Sequence, residues 1–246
     1  MICMASKFHT KPATAAENIR LGTERMVEIL DTLRSEFKIQ KGRGGPYEVL
    51  VRTVLSQHTN DRNSGLASTA LLKKIKGWKA LARADVKEIR RLIRPAGLQR
   101  EKARHLKAIA QDVLDRYDGR LEKVLKKPVN AARSELLSLP GVGYKTADVV
   151  LAFAAGRDVT AVDTHVFRVS KRLGFALKED NHEKVKTELE KFIPAGRRIE
   201  AHLLIIQLGR EYCRAISPLH EKCPVNKLCP TWNHKVSPRA QARSMT

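Results

Sequence analysis

Apolar residues recur every three or four positions along nearly the whole chain. In 23–37, "TERMVEILDTLRSEF", Met26, Ile29, Leu30, Leu33 and Phe37 share one face of a 3.6-residue helix. The same spacing predicts helices over 46–57, 62–75, 85–93, 100–117, 132–139, 144–155, 165–175, 181–193 and 198–213, nine or ten in all. No stretch alternates apolar and polar residues as a strand series does, so the expected fold class is all-α. A length of 246 residues suffices for one large core or two small ones. The first twenty residues read as polar and frayed, with no signal-peptide core. The tail "KVSPRAQARSMT", 235–246, reads as basic and disordered. No apolar run approaches the roughly 20 residues that cross a bilayer.

Charge narrows the partner. Lysine and arginine number 47 against 26 aspartates and glutamates, a net charge of +21. A surface so basic is expected to meet a polyanion. The basic residues run through the whole chain, which favours nucleic acid over a merely solubilising surface. A membrane surface would need an amphipathic helix with an exposed aromatic face, and none is evident. Four cysteines stand at 3, 213, 223 and 229, three of them within the last 35 residues. That late clustering predicts a metal or cluster site in an intracellular chain, not a disulfide framework.

One segment interrupts the helical pattern sharply: "LPGVGYKTADVV", 139–150. Pro140 cannot continue the helix before it, and Gly141 and Gly143 permit a tight, partly left-handed reversal. A new helix is expected to start near Tyr144, Lys145 and Thr146. Its first N–H groups lack intrahelical partners and carry partial positive charge. Beside glycines a phosphate can approach them closely, a contact blind to base sequence. The pattern is a helix–hairpin–helix; a plain helical corner with glycines for packing is the bland alternative. Lys145 sits at the second helix start. It is either a surface lysine on phosphate or a nucleophile whose charged form is disfavoured by burial or by the positive helix terminus. Asp163 returns 18 residues later in "AVDTHVFRV", where it reads as an N-cap, as a carboxylate facing Lys145, or as both.

These residues resemble the helix–hairpin–helix DNA glycosylases, most closely the endonuclease III branch. The family pattern LPGVG-x-K-T-A followed by VDTHV-x-R-V, with 18 residues from catalytic lysine to catalytic aspartate, is matched here by Lys145 and Asp163. "VLSQHTNDRN" (54–63) and "AGLQREKARHL" (96–106) are similar to two further family segments, and the resemblance runs from about residue 25 to 232. It implies two all-α domains with a DNA cleft between them: a six-helix barrel over 40–157 carrying the hairpin, and a second domain of 1–39 plus 158–234 carrying an iron–sulfur loop. The implied activity is base excision repair of damaged, oxidised pyrimidines in duplex DNA. The damaged nucleotide is flipped out, Lys145 displaces the base at C1′, and β-elimination cuts the strand (AP lyase). The hairpin residues Gly141, Val142, Gly143, Tyr144 and Thr146 would hold DNA together with Gln57. His58, where a glutamine is usual, and Leu98 would fill the hole in the stack, or else be a turn histidine and a core leucine.

Two other activities stay open: a mismatch-specific uracil/thymine glycosylase, whose pattern carries tyrosine at the lysine position, and a non-catalytic DNA-binding module. The adenine-removing branch has a glutamate where Thr53 stands here. The family's cluster loop, C-x6-C-x2-C-x5-C, is matched by Cys213, His220, Cys223 and Cys229, with histidine as the second ligand. A 4Fe–4S cluster, a zinc Cys3His site, and neither are the three readings, in that order. Arg214 and Lys222 would be presented toward DNA, and His234 is out of pattern. The implied protein is a monomer in the cytoplasm, associated with the nucleoid.

Overall fold

The computed structural model describes residues 14–39, 42, 44–176, 178–179 and 181–233. Among these the chain is entirely helical, with no strand. The first helix, α1 (Ala15–Glu36), starts eight residues before the apolar pattern does. Residues 15–20 were expected to fray; instead Thr14 closes a capping box with Glu17. Those first turns are exposed, so periodicity could not show them, but the cap supplies the orphan N–H groups with partners. Cys3, His234 and the tail 235–246 lie outside the described residues.

Eight helices surround one apolar core that runs from Tyr47 to Val159. They are α2 (Pro46–Ser56), α3 (Asp61–Lys74), α4 (Gly77–Arg83), α5 (Val86–Leu92), α6 (Gln99–Tyr117), α7 (Glu122–Leu125), α8 (Val129–Leu137) and α9 (Tyr144–Ala155), with a 3-10 turn at Arg94–Ala96. The apolar pattern missed α4 and α7, because helices of one or two turns show too little of a 3.6-residue period. Tertiary contacts hold them. Trp78 of α4 packs edge-on against Tyr47, ring centroids 5.0 Å apart, and the Tyr47 hydroxyl donates to the Ile75 carbonyl at 2.7 Å. Helix α6 ends as glycine-terminated helices do: Asp118 and Gly119 are left-handed, and the Gly119 N–H reaches back to the Val113 carbonyl at 2.9 Å.

A second core joins α1 to α10 (Thr164–Arg172), α11 (His182–Glu190) and α12 (Arg198–Glu211), and includes Val225 and Cys229 of the C-terminal loop. Met26, Ile29, Leu30 and Leu33 of α1 are wholly buried in it. Two charged joints tie the cores together. Arg133 on α8 makes paired bonds to Asp148 on α9 (2.9 Å each) and to Glu183 on α11 (2.5 Å each). Lys186 on α11 adds a 2.8 Å bond to Asp148, which is 1% exposed. Arg210 on α12 pairs with Asp61 on α3 at 2.7 Å.

Candidate active site

The turn after α8 reverses as its glycines predict. Gly141 has φ 72°, and a Cβ placed there would lie 2.4 Å from the His105 ring, so both backbone and space demand glycine. Gly143 caps α9 in an extended conformation, and a Cβ there would meet nothing within 4 Å. The backbone at the start of α9 is therefore open to a ligand. The side chain of Gln57 props the turn from behind, donating to the Gly141 carbonyl and to Thr146 Oγ1, each at 3.2 Å. Two of the residues expected to contact DNA are buried by this packing. Val142 is buried in the first core, leaving only its backbone for a contact, and Thr146 is 2% exposed, its hydroxyl accepting from Gln57. Tyr144 stays half exposed, under the Arg133 guanidinium 5.0 Å from its ring centre.

An open cleft of about 620 Å³ lies beside this turn. Gln57, His58, Gly143, Tyr144, Lys145 and Thr146 line one side, and Val162, Asn181 and His182 the other. It thus draws walls from both cores. Asn181 and His182 were not singled out from sequence. Asn181 caps α11, accepting from the Glu183 N–H at 2.8 Å, and His182 stacks on Phe167 with centroids 4.6 Å apart.

Lys145 stands at the second position of α9, half-buried in the cleft wall. Burial pushes its pKa below the ordinary lysine value; Asp163 and Asp61 oppose that shift and Arg210 reinforces it. Of the two sources of lowering expected from the sequence, burial and nearby positive charge, burial is the larger here, and Arg210 supplies positive charge. Asp163 is the N-cap of α10. Its Oδ1 accepts from the N–H of His165 (2.9 Å) and of Val166 (2.8 Å). Capping occupies one carboxylate oxygen and fixes the group within electrostatic reach of Lys145. Behind it His202, 5% exposed, donates from Nδ1 to the Ala161 carbonyl at 2.7 Å, and burial holds this histidine's pKa low. Thr53 spends its hydroxyl on the Val49 carbonyl at 2.7 Å inside α2.

The two residues expected to fill the stack have unusual backbones. His58 (φ 51°) and Leu98 (φ 47°) are left-handed without being glycine. Leu98 is 50% exposed, so it is not a core leucine.

At the C-terminal end, Cys213, His220, Cys223 and Cys229 line one small enclosed cavity of about 20 Å³, walled by Val169, Leu173, Leu208, Val225 and Trp232. His220 stacks on Trp232, and the Arg172 guanidinium donates to Cys213 Sγ at 3.4 Å. Burial raises the Cys223 thiol to about 11, and the neighbouring Cys213 and Cys229 add to that rise. Among the described residues no three His, Cys, Asp or Glu side chains converge closely enough to hold one metal ion. Arg214 and Lys222 are exposed on this loop.

The profile of the HhH-GPD superfamily base excision DNA repair protein matches residues 51–195. The chain is similar to an endonuclease III of Thermotoga maritima, 35% identical over 184 residues that cover 75% of this chain and 82% of that protein. An endonuclease III of Bacillus subtilis is 34% identical over 184 residues, covering 75% and 80%. Among solved structures, the fold is similar to an endonuclease III trapped as a covalent intermediate with DNA (TM-score 0.74, 32% identity, 91% of this chain and 100% of that one). It is also similar to a thermostable thymine-DNA glycosylase (TM-score 0.73, 25% identity, 90% and 100%). The hairpin, the lysine beside it and matches of this extent agree: the chain belongs to the HhH-GPD superfamily of base excision DNA repair proteins, as an endonuclease III-like member.

Proposed function

We propose that the chain is a bifunctional DNA N-glycosylase and AP lyase that removes oxidised pyrimidines from duplex DNA. The observation that carries this reading is Lys145, an amine whose charged form is disfavoured by burial in a cleft walled by both cores, within the field of the helix-capping carboxylate of Asp163. The Gly143 and Tyr144 N–H groups at the start of α9 bind a backbone phosphate and set the strand beside the cleft. The damaged nucleotide turns out of the stack into the cleft, and His58 and Leu98 occupy the gap it leaves.

Neutral Lys145 Nζ then forms a bond to C1′ as the bond from C1′ to the base breaks; the base leaves with the electron pair and takes a proton. Asp163 stabilises the positive charge that develops on the sugar. Opening of the deoxyribose ring gives a Schiff base on Lys145. Loss of a 2′ proton then expels the 3′ phosphate, and hydrolysis of the imine frees the amine. A water nucleophile would stop after base release, so the lysine is what adds strand scission.

Cys213, His220, Cys223 and Cys229 would hold a 4Fe–4S cluster. Three thiols and an imidazole, lining one apolar-walled cavity at the family's loop spacing, are donor types such a cluster takes. Bound there, the cluster would pin the loop bearing Arg214 and Lys222 against α10 and α12.

The test is a duplex carrying one thymine glycol, assayed for released base and for strand cuts before alkali. Both products together support the reading. Base release with an intact strand would instead make the chain a monofunctional glycosylase of the mismatch type. Salt-sensitive binding with no product, indifferent to Asp163→Asn, would leave a non-catalytic DNA-binding protein.

A further inference from the structure

A lysine that takes no part in this chemistry is among the most buried charges in the molecule. Lys102 on α6 is 2% exposed. Its ammonium donates to the carbonyls of Leu55 (3.1 Å), Gln57 (2.5 Å) and Ala96 (2.9 Å). An ammonium has three protons, so none is left for a substrate. The first two carbonyls lie at the end of α2, where the last carbonyls of a helix want donors and the dipole favours a cation. A lysine placed only to cap α2 would need no third bond. The third goes to a different loop, the 3-10 turn at Arg94–Ala96.

Each of these loops carries one of the left-handed residues. His58 follows Gln57 directly, and Leu98 is two residues beyond Ala96. A non-glycine residue in that conformation is strained and persists only where its surroundings hold it. Both residues are exposed, so side-chain packing does not hold them. One buried cation does, bonded to the carbonyl just before His58 and to the carbonyl two residues before Leu98.

We propose that Lys102 is a positioning residue which couples the two stack-filling residues, His58 and Leu98, by bracing both their loops on a single ammonium. The inference rests on the reading of His58 and Leu98 given above. It makes the two wedges one rigid unit, so that weakening the brace loosens both together. The chemistry at Lys145 is left alone.

The experiment uses the full chain bound to a duplex with a reduced, uncleavable abasic site opposite 2-aminopurine. Fluorescence reports whether the gap in the stack is filled. Lys102→Met is expected to lose most of the fluorescence response and to slow base release from duplex DNA about tenfold to a hundredfold. Strand scission at an abasic site in single-stranded DNA needs no gap filled, so the ratio of duplex to single-strand rates should fall. Lys102→Arg, which keeps a buried cation with several donors, should recover part of that ratio. In a His58→Ala/Leu98→Ala background, Lys102→Met should add little to the loss. Parallel loss of both rates, or a full additional loss in that background, would show a purely structural lysine and overturn the proposal. Should Lys102→Met fail to fold, the same cycle with Lys102→Arg decides, by whether its partial loss vanishes when the wedges are gone. No fluorescence response from the unmodified protein, with strand scission intact, would sink the wedge reading and this inference while leaving the proposed activity standing.

Discussion

At the scale of single residues, function rests on where a charge is placed and how far it is desolvated. Lys145 loses part of its preference for the charged form by burial, while Asp163 pulls the other way. Replacing Asp163 by asparagine removes a negative charge that favours the ammonium. The Lys145 pKa should then fall further, and the alkaline rise of the lyase rate should level off at lower pH than in the unmodified protein. The plateau itself should drop about 10²–10³-fold, because the carboxylate no longer stabilises the sugar cation. A pH series of single-turnover strand scission checks both directions at once. The lysine and aspartate were legible in the sequence because motif spacing marked them. Lys102 and Asp148 were not. Each interrupts an apolar helical face, and a lone charge there shows its purpose only when its partners, 45 residues away for Gln57 and 38 for Lys186, come into view.

Elements turn those residues into a site. The two glycines of the hairpin, alike in sequence, do different work. Gly141→Ala would force a left-handed alanine into the His105 ring, and should lower stability by roughly 1–3 kcal/mol in a denaturant titration. Gly143→Ala meets open space at an ordinary φ. It should leave the denaturation midpoint nearly unchanged yet weaken duplex binding in a titration, since the methyl stands where a phosphate would come. The joint between hairpin and α11 is as specific. Asp148→Ala leaves Lys186 without its carboxylate and Arg133 with Glu183 alone, which should cost about 3–5 kcal/mol in the same measurement. Long helices with one apolar face were readable from period alone. Helices α4 and α7, the early start of α1 and the pocket wall at Asn181–His182 were not, since caps, single aromatic contacts and tertiary approach define them.

On the scale of the whole molecule, a cleft assembled from two cores is carried on a chain of net charge +21. Affinity for undamaged duplex should therefore fall steeply and linearly in log–log form as salt rises, with a slope of about −0.9 per phosphate neutralised. The all-α class followed from periodicity, and the family from the hairpin motif. The cleft's far wall depended on how α11 docks, which no local pattern encodes. All of it converges on whether one amine attacks the sugar. The direct measurement is borohydride trapping of the protein on duplex DNA carrying an abasic site. A covalent protein–DNA adduct should form with the unmodified chain and vanish with Lys145→Gln while duplex binding persists. An adduct that survives Lys145→Gln, or none with the unmodified chain, would contradict the account.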